Sequence, residues 1–413
     1  MNSSSKLQTC PAMPAIIAAV PRFAPLLPGH YRSPRLVAWP KPGCYTVSLL
    51  LNGPAVLLHS GTRIVMKTRY WQLALLAPVI LVAAGFSYLR VTATGVDMTK
   101  AADQFVRSLS EPNRAKALMA YEAPQRLDWH FIPKPTRKGL QIKEMSEPER
   151  EAARALLAAA LSEVGNGKAT KIMQLESILR ELEKSKTGAP LRDPERYFFT
   201  LFGEPRAVGR WGLSIEGHHL SLNFVVADNK VVSTTPTFMG ANPGVLMADY
   251  GPEFKKGLRV LAKEEELAYQ LLASMNDAQR AKTIIAAKAP ADVRDAGLPS
   301  PPISPAAGLA ASEMTPDQVK ILRALIEEYA NNLPADLAKE RLTAIEKNGY
   351  EEIKFCWAGP DKPGAGHDYR VQGTSFLIEF NNTQPDAAGN LANHVHSVWH
   401  NLAGNFDVPA KKQ

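Results

Sequence analysis

The sequence predicts an α+β body built from two related halves, each opening with helices and continuing into a small antiparallel sheet. Three observations carry that reading. Four helix starts share one grammar, strand-like runs follow them twice, and segments of the two halves repeat at one spacing.

The helix starts are SEPN (110–113), SEPE (146–149), NDAQ (276–279) and TPDQ (315–318). Each places a capping residue three positions before a Glu, Gln or Asn. The cap side chain accepts from the amide three on, and that residue's side chain reaches back. Asn113 is the weakest of the four matches. Pro112, Pro148 and Pro316 fall in the first turn, where a missing N–H costs nothing. A further amphipathic helix, KATKIMQLESILRELEKS (168–185), belongs to the first half, and EEELAYQLLASM (264–275) belongs to the second.

The repeats come next. NRAKALMAYEAP (113–124) parallels QRAKTIIAAKAP (279–290), and TLFG (200–203) parallels CWAG (356–359). SIEGHHLSLNF (214–224) parallels RVQGTSFLIEF (370–380). Gly203 to Gly359 and Gly217 to Gly373 are both 156 positions. The halves are expected at about 98–250 and 251–410, packed as one body. Strands are expected around 195–203, 211–227, 352–358 and 367–381, with a further His-rich strand near 393–401. The turn ADNK (227–230) implies hairpins and antiparallel pairing. VRDAGLPSPPISPAAGLAASE (293–313), with four prolines, is expected as an extended surface loop.

The net charge is +8, from 48 Lys and Arg against 40 Asp and Glu. Six of the basic residues and none of the acidic ones fall within 1–65, so the rest carries only +2. A near-neutral body argues against a nucleic-acid partner. Residues 1–65 also hold nine prolines and no helical or strand period. MKTRYWQLALLAPVILVAAGFSYLRVTATG then begins at Met66. A short basic region, an apolar run and small residues make 66–93 read as an export signal. Val82-Ala83-Ala84 and Val91-Thr92-Ala93 are both acceptable cleavage points. An uncleaved anchor at 71–89 stays open, with the basic residues ahead of it placing the body outside the cytoplasm. Either way the protein is expected to be extracytoplasmic: periplasmic, secreted or membrane-anchored. Residues 1–65 are read as a mis-assigned or disordered extension ahead of that signal. Cys10 and Cys44 lie there, and the body holds only Cys356, so no disulfide is expected within it. Cys356 reads as a small core residue.

Strand alternation sorts the paired segments into two faces. Counted from Gly217 and Gly373, odd positions hold Leu220, Leu222 and Phe224, and Phe376, Ile378 and Phe380. That face should pack on helices, and it also carries His218. Even positions are largely polar and carry His219, Asn223 and Glu379. In NHVHSVWHN (393–401), His394 and His396 share one face of a strand. Two imidazoles so placed can chelate a metal. His400 joins them only if the strand runs unbroken, and Asn401 and Gly404 argue that it does not. The candidate site is therefore His218, His219, His394 and His396 as metal ligands, with Glu379 as a catalytic carboxylate. Zinc, copper or iron suits such a set. For His218 a buried structural role is weighed against ligation. His130 and His367 read as loop residues, and Trp399 as core. No Walker loop, GxGxxG before a helix, HExxH, CxxC or GxSxG is present.

EGHHLSLNF with STTPTFMGANPG, then YRVQGTSFLIEFNNTQ, then NHVHSVWHN, is similar to a bacterial domain of unknown function catalogued as number 3500. The resemblance covers about 100–408. It implies no reaction, cofactor or substrate. Members of that family usually read HIHSVWRD near the end. Trp399-His400-Asn401 stands here instead, so an Arg–Asp pair that could anchor an anionic ligand is missing.

Two functions remain in view from these residues. One is an exported metal-binding protein, a metal-dependent hydrolase or oxidoreductase. The other is an extracytoplasmic module that binds a small molecule without metal and without catalysis.

Overall fold

The computed structural model describes residues 94–188, 191–302 and 304–410. The expectations for 1–65 and 66–93 fall outside the described residues. Among the described residues, no helix is long and apolar enough to cross a membrane.

Three of the four capping boxes form. Asn276 accepts from the Gln279 amide at 2.9 Å and Thr315 from the Gln318 amide at 3.3 Å. The Gln279 and Gln318 side chains reach back to the cap amides. Glu149 accepts from the Ser146 amide at 2.7 Å. Ser110 differs, and its side chain caps nothing. Its amide donates to Glu149 instead, and Asn113 also donates to Glu149, both at 2.9 Å. The residues at the third position therefore join neighbouring helices. Gln279 and Gln318 do the same, through two amide bonds of 2.9 Å. Eight α-helices lie among the described residues.

The strands assemble into one mixed, 13-stranded sheet rather than two small ones. At one edge, β1 (Leu118–Met119) and β2 (Leu140–Gln141) flank β3 (Phe198–Phe202). Next come β4 (Arg210–Gly217), β5 (Leu220–Ala227) with β6 (Lys230–Ser233) on part of it, and β7 (Thr237–Ala241). At the other edge, β8 (Ile284–Ala286) and β9 (Leu309–Ala310) flank β10 (Lys354–Ala358). Then follow β11 (His367–Gln372), β12 (Phe376–Gln384) and β13 (His394–Asn401). The pairing is antiparallel except for β1 on β3 and β8 on β10. β7 causes the departure from two sheets. It pairs with β5 on one side and with β13 on the other, which closes the gap between them. Its five residues lie between Pro236 and Pro243, too short a run to announce a strand.

Register confirms the apolar face. Leu213, Ile215, Leu222, Phe224, Ile378 and Phe380 pack into one core with the helices. The polar face is not solvated. Ser214, Ser221, Asn223, Glu379 and Asn381 are all buried. Segments 120–139, 287–308 and 402–408 cover it. Trp129, Phe131, Val293 and Phe406 from these segments cluster with Phe238 and Val398 of the sheet. The proline-rich segment is the surface loop expected, with Asp295, Leu298, Pro299 and Pro302 exposed, and it also covers this face. Prolines donate nothing, but every carbonyl still accepts. Gln372 donates to the Ser304 carbonyl at 2.7 Å, Trp129 to Leu298 at 2.8 Å and Asn405 to Pro299 at 3.0 Å.

Cys356 is free and buried, and burial pushes its thiol up. Trp399 is core, as expected. His367 is not in a loop. It opens β11, fully buried, with its ring stacked on Trp357 at 4.7 Å.

Candidate metal centre

β13 is the first part of the site. His394 and His396 are two apart on this strand, so their side chains leave the same face. The second part comes from the turn between β4 and β5. His218 and His219 form that two-residue turn, so strand alternation does not set their faces, contrary to expectation. His219 takes a left-handed backbone, φ 61°. Its amide donates to the Phe131 carbonyl at 2.9 Å, and its carbonyl accepts from Gly240 at 2.8 Å. The turn is thereby tied to β7, beside β13.

Gly240 decides whether the ring can cross. It pairs with His396 in the sheet. A Cβ there would lie 3.1 Å from His219 Cδ2 and 2.8 Å from the Val395 carbonyl. With glycine, the His219 imidazole passes over β7 and meets the two rings of β13. Nε2 of His219 lies 2.7 Å from Nε2 of His394 and 3.3 Å from Nε2 of His396. The third side of the triangle, His394 to His396, is 3.1 Å.

These distances fit a metal ion. Three imidazoles bound at about 2.0–2.1 Å in tetrahedral array hold their nitrogens roughly 3.3–3.4 Å apart. The triangle is a few tenths of an ångström tighter. A point about 2 Å from all three nitrogens lies just outside their plane. The group can therefore hold a metal ion. His219 and His396 are 3% and 4% exposed, and His394 is half-buried.

The electrostatics favour ligation. Burial, then the charges of His218 and the two partner rings, holds His219 well below the usual histidine range. Burial, then His396, pulls His394 down to about 3. Both rings are neutral near pH 7, with lone pairs free for a cation. Asp292 lies behind His396, its Oδ1 2.5 Å from Nδ1. A carboxylate there accepts a hydrogen bond from Nδ1–H and leaves the Nε2 lone pair facing the centre. Burial pushes Asp292 up, but its bond to His396 and that ring's charge outweigh this and lower it. The Asn242 side-chain amide sits 3.3 Å from Nδ1 of His394.

The expected residues divide clearly. His219, His394 and His396 converge. His218 stands behind, its ring stacked on His219 at 3.7 Å between centroids. Its own Nδ1 is 2.5 Å from Glu176 and 3.0 Å from Arg192, so its nitrogens serve that buried cluster. Burial raises Glu176 to about 8 and holds His218 well down, which favours a neutral carboxyl donating to a neutral ring. Glu379 takes the Arg294 Nε–H at 2.9 Å and the Arg294 amide at 3.2 Å. It anchors the covering loop. β13 does run unbroken through His400, against expectation. His400 shares the face but sits four residues along, 3.0 Å from Asn405 and edge-on to Trp129. His130 is a packed loop residue, accepting from the Phe131 amide at 3.0 Å.

Asp292 and Gly240 were not foreseen. Nothing in the pattern near Pro290 marks an acid that will meet a strand 104 residues later.

No curated protein and no solved structure matches the chain. A family model described as "Protein of unknown function (DUF3500)" matches residues 92–408. That span holds all three imidazoles, Asp292 and Gly240, and on it the chain belongs to the DUF3500 family.

Proposed function

We propose that this protein is exported and binds one divalent transition metal, zinc, copper or iron, through Nε2 of His219, His394 and His396. One observation carries the reading: three imidazoles, two buried and one half-buried, bring their Nε2 atoms within 3.3 Å of one another. Neutral nitrogen ligands suit these borderline ions better than magnesium or calcium. A bound ion supplies Lewis acidity to a water or a carbonyl, which makes a hydrolase or oxidoreductase the reaction classes to test. The protein's own part is to fix the ligands. Asp292 sets the His396 tautomer, Gly240 admits the His219 ring, and the loop carrying Asp292 covers the face. Glu379, engaged with Arg294, supports that loop rather than the chemistry.

Export is supported by the basic, apolar and small-residue order of 66–93. N-terminal sequencing of protein recovered from cells tests it: a start after Ala84 or Ala93, or retention in membranes, is expected. The two-halves reading is supported by the shared 156-residue spacing and by like pairings at both sheet edges.

The metal test is elemental analysis of untagged protein, before and after exposure to each ion. About one equivalent is expected, and loss of it in the His394→Ala, His396→Ala double variant. Failure of the folded protein to retain any of the three ions sinks the proposal. It would favour a metal-free binding module, in which the rings simply hydrogen-bond to one another.

A further inference from the structure

The helix face of the sheet carries a second feature. A cleft of about 310 Å³ opens between the Ala335–Lys347 helix, residues 231–235 and the tip of the β11–β12 hairpin. Volumes of this size hold small ligands. Leu337, Ile345, Phe376 and Trp399 give it apolar walls. Arg341 reaches in from the helix, its guanidinium 4.2 Å from the centroid of the Trp399 ring.

Arg341 has no carboxylate partner among the described residues and donates instead to the Thr234 hydroxyl. Burial alone, with no carboxylate to offset it, pulls the group down to about 9. Arg341 is half-buried, and leaving such a cation without a counter-ion is costly. Beside it, Thr235 is 3% exposed and its hydroxyl has no partner. A cation without a counter-charge and a hydroxyl without a partner thus line one cleft. Both would be answered by an anion with two oxygens.

We propose that this cleft binds a small monocarboxylate, its carboxylate paired with Arg341 and its apolar body lying against Trp399 and Phe376. A planar guanidinium matches a planar carboxylate through two parallel hydrogen bonds. A phosphate dianion fits less well. No second cation lines the cleft, and Glu340 lies on the same wall. The site is independent of the metal reading, because Trp399 and His396 leave opposite faces of β13.

Benzoate, hexanoate and inorganic phosphate are the probes, applied to the full chain in thermal shift and calorimetry. The acids are expected to raise the melting temperature with concentration, and phosphate is not. Arg341→Gln should weaken acid binding at least ~10-fold, the loss of one charge-assisted pair. Asn401→Asp places a carboxylate in the same cleft and should abolish acid binding while the protein stays folded. It carries the test if Arg341→Gln does not fold. Metal content should be unchanged in both variants. Wild-type protein that binds neither acid at millimolar concentration overturns the proposal. So does Asn401→Asp protein that binds them as the wild type does.

Discussion

The imidazole of His219 lies over Gly240 and brings its Nε2 to 3.3 Å from that of His396, on the neighbouring strand. One missing side chain thus joins a hairpin turn to a strand that it does not pair with. The first prediction follows directly. Gly240→Ala puts a methyl group against the Val395 carbonyl and the His219 ring, neither of which can yield cheaply. Overpacking of this kind costs about 1–3 kcal/mol. Urea denaturation should show that loss, and the folded variant should retain less metal than the wild type.

On the proposed metal reading, Asp292 would act on the ion through His396. Asp292→Ala should lower metal affinity by about 10–100-fold while the three ligands remain. Competition against a chelator of known affinity measures this. An unchanged affinity would mean that Asp292 does not set the His396 tautomer.

Glu379 should behave differently. It is 1% exposed, while its partner Arg294 is 37% exposed. Glu379→Gln therefore costs less than the ~3–5 kcal/mol typical of breaking a fully buried pair, about 2 kcal/mol. Metal content should not change. Proteolysis should quicken within 287–308, because the cover loses an anchor.

His400 provides a pH test away from the ligands. Burial lowers it to about 4, with the Asn405 contact opposing. Its unfolded value is about 6.5, so below that pH the unfolded chain binds the extra proton. The contribution of His400 is fully present above pH 6.5 and is lost as pH falls from 6.5 towards 4. In metal-free protein, His400→Phe should flatten the fall in unfolding free energy, read from urea denaturation, over that window by up to about 1.4 kcal/mol per pH unit. Equal slopes for variant and wild type would contradict it.

Legibility followed the range of each interaction. Capping boxes are read within four residues, and three of them form where the spacing places them. Strand alternation is read over about six, and the apolar face of β5 and β12 follows it. The His394/His396 pair was visible for the same reason. His219 was a candidate from its type, but its position depends on a turn, which alternation cannot describe. Asp292, Gly240 and the burial of the polar face depend on which strands become neighbours. That is decided when β7 meets β13, and no local pattern encodes it. The Ser110 exception is of the same kind, since its amide is answered by Glu149 from another helix.

The three nitrogens proposed as ligands are separated widely in the gene, with His394 175 residues after His219. A chain interrupted anywhere between them carries one ligand and no centre. During synthesis the hairpin that presents His219 can fold long before β13 exists, and until then its neutral ring has nothing to share. If the proposed site takes up metal, it does so only after the second run of strands has docked onto β7. Ion content then becomes a readout of completed folding: partly folded and truncated species should separate from mature protein by metal alone.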